Sequence, residues 1–126
     1  MENATMNPRN YGFLLSEASG NRSRNTVTIA SGEGKLSAGT VIGKITASGE
    51  YAASPDAVTV GKEGAETAIA VLATGIDATD AAVEAVIIDR DAEVKTSMLI
   101  YEATVNDQPK TDAKNAQLDA VGIRVR

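Results

Sequence analysis

Apolar and polar positions alternate over "TVTIA", residues 26–30, with Val27 and Ile29 on one face and small or polar side chains on the other. That spacing predicts a half-buried strand. The following "SGEGKLSAGTVIGKITASGEY" is cut by Gly32, Gly34, Gly39, Gly43 and Gly49 into short extended pieces around Val41–Ile42 and Ile45. A polar excursion with Pro55 and a Gly61–Gly64 loop comes next. "TAIAVLATGIDA", residues 67–78, sets Ile69 and Val71 among small alanines and predicts a buried strand. In "AVEAVIIDRDAEV" Glu84 and the alanines permit a helix, but Val86, Ile87 and Ile88 favour a strand, expected over Ala85–Arg90. "SMLIYEA" predicts another at Met98–Tyr101. "DQPKTDAKNAQLDAVG" reads as a helix capped by Thr111 or Asp112, with Gly122 just past its end. "GIRVR" closes as a strand, Ile123 and Val125 inward, Arg124 and Arg126 outward. Short strands, glycine turns and one late helix make a mainly β chain.

Ahead of this pattern, residues 1–25 carry an apolar knot at Tyr11, Phe13, Leu14 and Leu15, then a polar run with Ser16, Ser19, Gly20, Arg22, Ser23 and Arg24. Such a composition buries too little apolar surface to offset its ordering entropy. The segment is therefore expected to project as an extended arm, with the β-rich body at residues 26–126. An exposed apolar knot often marks a docking site. With Arg22 and Arg24 beside it, the segment fits one that folds on an acidic, groove-bearing or edge-strand partner. An idle tether is the plainer alternative.

Composition sharpens the picture. Of the 54 apolar residues 21 are alanine, and Val and Ile together outnumber Leu by 20 to 6, a bias towards strands with a thin core. A thin core favours oligomerisation as a source of stability. The net charge of −5 argues against a nucleic-acid partner, which would need clustered Lys and Arg. No apolar run approaches the roughly 20 residues that span a bilayer, and the first residues lack the order of a signal peptide. Zero cysteines exclude disulfides and thiolate metal sites. A soluble, cytosolically made chain is expected, with the N-x-S/T matches at Asn3 and Asn21 accidental.

Candidate chemistry is sparse. The chain has no histidine, so Ser–His–Asp and Cys–His arrangements are impossible. A Ser–Lys pair stays open on composition, although no S-x-x-K or G-x-S-x-G motif is present. "GEGKLSAGT" fails as a phosphate loop because Thr40 stands where the lysine must be, and Ser37 where a dinucleotide fingerprint needs glycine. "DRDAEV" opens like a calcium loop, but Val94 holds the glycine position and Ile100 the glutamate position. Asp77 and Asp80 read as turn residues. Lys44 in "GTVIGKI" is a weak candidate for a modified carrier lysine. No cofactor, metal or catalytic residue is expected.

Taken in order, "FLLSEASGNRSRNTVTIASGEGKLSAGTVIGKI", then "GEY", "TAIAVLATGIDA", "VIIDRDAEV", an "L…Y" strand and a short helix running into "AVGIRVR" resemble the lambda D-like bacteriophage head decoration family. The resemblance implies a β-clip or β-tulip domain with one or two short helices and an extended N-terminal arm. It implies a structural protein, not an enzyme: a homotrimer outside the expanded head, stabilising the major capsid protein against the pressure of packaged DNA. Neither nucleic acid nor membrane is an implied partner. The protein would be made in the host cytoplasm and reside on the virion surface. The arm residues expected to meet the capsid are Tyr11, Phe13, Leu14, Leu15, Arg22 and Arg24, continuing into Val27 and Ile29. A tail or baseplate ornament, or another β-rich interaction module, is the related alternative.

Overall fold

A computed structural model describes residues 9–20 and 22–126. Asn3 and Asn21, and the first eight residues of the expected arm, lie outside the described residues. Ten short strands and one helix follow in order: β1 Leu14–Glu17, β2 Arg24–Ile29, β3 Gly34–Leu36, β4 Val41–Lys44, β5 Tyr51–Ala53, β6 Ala70–Leu72, β7 Ile76–Ala78, β8 Val83–Ile88, β9 Ala92–Val94, α1 Gln108–Ala120 and β10 Ile123–Val125.

Five of the strands close a barrel in the order β2-β5-β4-β6-β8. The closing ladder is β2 against β8, antiparallel from Arg24↔Ile88 to Ile29↔Val83, and β2 meets β5 at Ile29↔Tyr51. A second sheet, β1-β9-β10, packs outside the barrel, and β3 and β7 form a separate ribbon. The mainly β expectation is met.

Of the barrel strands, β6 is buried on both faces and β4 nearly so, which explains their unbroken apolar pairs, whereas β2 and β8 keep Asn25, Thr26 and Glu84 exposed. Ile42, Ala70, Leu72 and Ile87 fill the barrel, whereas their chain neighbours Val41, Val71 and Ile88 point outward into a second core with Phe13, Val94, Leu118 and Ile123. The alanines find their use here. A five-stranded barrel is narrow, and Ala70, Ala78 and Ala85 pack beside large residues where bulkier side chains would not fit.

Several elements differ from expectation. Residues 67–78 form two strands, β6 and β7, because the carbonyl of Ala73 and the amide of Gly75 between them are taken by Tyr11 and Asn10. The strand expected at Ala85–Arg90 sits at Val83–Ile88, and Asp91, at φ 48°, turns the chain into β9. No strand forms over Met98–Tyr101; Thr96–Met98 is a 3-10 turn and Ile100 makes a single bridge to Thr40. Gly39, at φ 100°, lets that bridge form, since a Cβ there would lie 2.5 Å from the Met98 carbonyl oxygen. The helix starts earlier than expected. Asp107 caps it by accepting from the Lys110 amide at 3.0 Å, and Pro109 sits in the first turn where its missing donor costs nothing. Gly122, at φ 87°, ends it as expected. β10 has the expected polarity: Ile123 is buried, Val125 half-buried, and Arg124 and Arg126 exposed.

Candidate functional site

The candidate docking residues lie where the chain enters the fold, and most of them are built into it. Asn10 accepts from the Gly75 amide at 2.9 Å and the Tyr11 amide donates to the Ala73 carbonyl at 2.8 Å. Tyr11 sits at φ 61°, a conformation that costs a bulky residue free energy and is held by its surroundings. One hydrogen bond leads out of this turn, from the Leu14 amide to the Tyr11 carbonyl at 3.0 Å.

Phe13 is 1% exposed and belongs to the outer core. Its carbonyl accepts from the Lys95 amide at 2.8 Å, which starts the pairing of β1 with β9. The register slips between Leu14 and Ser16, and this bulge turns Leu15 outward at 48% exposure. Leu14 packs half-buried against the outer core. The apolar knot is thus divided: one anchor inside, one side chain outside, two between.

The polar run is equally specific. Ser23 is fully buried; its hydroxyl accepts from the Ala18 amide at 3.0 Å and donates to the Asp91 carbonyl at 2.9 Å. Arg24 forks onto Glu17, with Nε to Oε2 at 3.0 Å and a terminal nitrogen to Oε1 at 2.6 Å, and its guanidinium lies 4.3 Å from the centre of the Tyr11 ring. This pairing locks both ends of the Glu17–Arg24 loop and covers a strained aromatic at once. Arg22 reaches Asp91 only at 4.0 Å, with both side chains exposed. Val27 is half-buried and Ile29 is fully buried in the barrel.

Residues 9–20 and 22–25 therefore pack against the body. The expectation that residues up to 25 project from a body starting at 26 does not describe this part of the segment. The composition argument weighed the segment alone. Phe13 finds its burial against distant Leu118 and Val94, and Ser23 finds its partner in the β8–β9 turn.

Two carboxylates stabilise this face. The bidentate bond from Arg24 holds Glu17 below the usual carboxylate range, and Arg126, then Ser16, do the same for Glu93 on β9. Both groups bind protons more weakly folded than unfolded. Their contribution is present above the unfolded value of about 4.3 and is lost as pH falls through the lower folded values. Acidification from pH 5 to 3 should therefore lower amide protection, relative to the intrinsic exchange rate at each pH, in β1 and β10 before the barrel. A Glu17→Gln, Glu93→Gln variant should exchange faster at pH 7 and respond much less to acid; an acid response equal to the parent's would refute the assignment.

No catalytic constellation accompanies this face. Among the described residues no group of three or more His, Cys, Asp or Glu could hold a metal, and no helix is long and apolar enough to cross a membrane. Asp77, within β7, accepts from the Thr79 amide at 3.1 Å, and Glu93 of "DRDAEV" is engaged by Arg126. Lys44 is exposed within β4, outside the Thr46–Gly49 turn. A Ser–Lys pair does exist: Lys114 Nζ lies 2.9 Å from Ser54 Oγ, with both residues buried. Yet the Lys114 ammonium also donates to the carbonyls of Pro55 and Glu66, so all three protons are engaged and no lone pair is free to act as base.

The sequence matches the family of the bacteriophage lambda head decoration protein D over residues 3–123. The chain belongs to that family. No curated protein matches it. Head decoration is the family's role, which places the chain among viral structural proteins of the capsid exterior. In this head decoration protein the docking candidates thus fall into three groups. Leu15 and Arg22 are presented to solvent; Tyr11, Leu14, Arg24 and Val27 are half-buried; Phe13 and Ile29 are interior supports. Sequence reading missed Glu17 and Ser23 as the groups that fix this face. The "SEASGNRSR" run held them, but neither their distant partners nor the bulge at Leu15 leaves a local signal.

Proposed function

We propose that this chain is a capsid cement protein that binds the outside of the expanded phage head as a homotrimer and holds neighbouring major capsid protein subunits together against the pressure of packaged DNA. The family match over residues 3–123 carries the reading. One feature supports it: a fixed N-terminal face with β1 at the edge of its sheet among the described residues. The proposed capsid contact centres on Leu15, Arg22 and the Arg24–Tyr11 stack, while Leu14 and Val27 flank it and Phe13 and Ile29 hold it rigid from within. Residues 1–8 would extend it. A capsid segment lying along β1 would gain backbone hydrogen bonds. The arginines would set register against capsid carboxylates. Three faces on one trimer would sum weak contacts through effective concentration.

Co-sedimentation with expanded heads stripped of decoration tests this. Saturation near one copy per capsid subunit, and no binding to unexpanded heads, is expected. A Leu15→Asp, Arg22→Glu variant should keep its thermal midpoint and lose at least about ten-fold in affinity, as removal of an apolar anchor and its charge implies. Undiminished binding by that variant would remove this face from the contact; no binding of the parent to any head form would overturn the cement reading.

A further inference from the structure

Charge is spread unevenly over this chain. Every arginine, Arg9, Arg22, Arg24, Arg90, Arg124 and Arg126, lies in the N-terminal segment up to β2, in the turn from β8 to β9, or on and just past β10. With Lys95, just past β9, they set seven basic side chains against four acids over residues 9–20, 22–29, 89–96 and 123–126, a net of +3. The other described residues carry five basic side chains and twelve acids, a net of −7. The two sets are also apart in space. The Tyr11 amide is bonded to Ala73, whereas the carbonyls of Glu50 and Glu63 are bonded to Ile45 and Thr46. Because Val41↔Val71 and Ile42↔Ala70 pair antiparallel, those two sites lie at opposite ends of β4 and β6. A chain of net charge −5 thus carries a positive pole.

Pairing within the pole takes up its acids and leaves the surplus free. Glu17 is held by Arg24 at 2.6 Å and Glu93 by Arg126 at 2.9 Å, while Arg90 approaches Asp89 at 3.6 Å and Arg22 approaches Asp91 at 4.0 Å. Lys95 and Arg124, both exposed, make no ion pair among the described residues. Arg124 stands opposite Glu93 in the ladder, but Arg126 and Ser16 hold the hydrogen bonds of that carboxylate. Asp119 of α1 lines a groove with Arg124 without pairing to it, and counting it in still leaves the pole positive. Unpaired like charges gathered on one side of a small molecule repel one another, a cost that a partner of opposite sign removes.

We propose that this pole, with Lys95 and Arg124 as its unpaired groups, is an interaction surface for a carboxylate-rich patch on the expanded head. The inference rests on the cement reading and extends the contact from Arg22 and Arg24 across the outer sheet to β10. Carboxylates suit the pole better than phosphates. Arg24 already forks onto a carboxylate, and four acids interleaved with the basic groups would repel a continuous polyphosphate. The net of −7 on the remainder gives the molecule a charge axis as well. On approach to an acidic surface that axis turns the pole inward before any contact forms and holds the negative body away.

Association of the full chain with expanded heads stripped of decoration, followed by stopped flow from about 20 to 300 mM salt, tests the inference. The sign of the salt effect decides it. If net charge governed the approach, a chain of −5 would meet an acidic head faster as salt screens the repulsion. Through the pole, association should instead slow by at least about ten-fold over that range. A Lys95→Glu, Arg124→Glu variant takes the pole from +3 to −1 and should keep its thermal midpoint, since neither side chain has an ion pair to lose. At low salt it should associate at least about ten-fold more slowly than the parent, and the neutral Lys95→Gln, Arg124→Gln pair should show a smaller loss of the same sign. Parent association that salt leaves unchanged or accelerates, or variants that match the parent, would overturn the inference and leave the cement reading standing. Absence of parent binding to any head form would overturn both. Short duplex DNA at low salt should not bind; binding that the variants lose would assign the pole to phosphate and overturn the carboxylate assignment.

Discussion

Phe13→Ala is expected to lower the unfolding free energy by about 3–5 kcal/mol, measured by urea denaturation at neutral pH. The ring is 1% exposed and shares one core with Val41, Val94 and Leu118, residues from a barrel strand, the outer sheet and the helix. Its removal leaves a cavity at a three-way junction, which cannot collapse without shifting one of those elements. Leu15→Ala, two residues away but 48% exposed on the bulge, should cost less than about 0.5–1 kcal/mol. The contrast separates a core anchor from a presented contact. Equal effects at the two positions would mean that the segment is not packed as described.

The second large effect belongs to Lys114. Lys114→Met retains the aliphatic stem and removes the three donors, leaving the Pro55 and Glu66 carbonyls without their partner. Each orphaned acceptor costs about 1–3 kcal/mol, so for the two a loss of about 2–6 kcal/mol is expected. That is a large share of the roughly 5–15 kcal/mol that a small domain possesses. The cost of the arrangement is visible in the parent. Burial pushes the Lys114 ammonium towards lower pKa, and Asp56, Glu66 and Glu102 only partly restore it. The loss should be local in onset: proteolysis within residues 55–66 should accelerate before global unfolding begins. A variant as stable and as protease-resistant as the parent would show that the ammonium does not hold the loop.

Much of this fold was legible because it is local. β2, the helix with its glycine stop, and the polarity of Ile123 and Arg124 follow from periodicity and turn chemistry in a few adjacent residues. What was hidden depends on partners far along the chain. A continuous "AVL" or "VII" gives no hint that one residue faces a barrel and its neighbour a second core. The segment Met98–Tyr101 has the composition of a strand but only one neighbour to bridge, Thr40, so it takes a 3-10 turn and a single bridge. Phe13, Ser23 and Glu17 look like arm residues because their partners lie between 7 and more than 60 positions away. Lys114 was the least accessible of all. On a helix of low amphipathicity a lysine is ordinarily solvated, and only the closing of residues 54–66 around it reveals three waiting acceptors.

The outer sheet has a topological corollary. β1 runs antiparallel to β9 and β10 runs parallel to it, so Leu14 and Val125 both lie opposite Val94, one on each side. The first strand and the last therefore share a single address. The chain traces a path that is nearly circular, seamed at one residue of one central strand, and the helix and barrel hang between as a single span. An insertion made beyond Val125 would emerge across the width of β9 from Leu14.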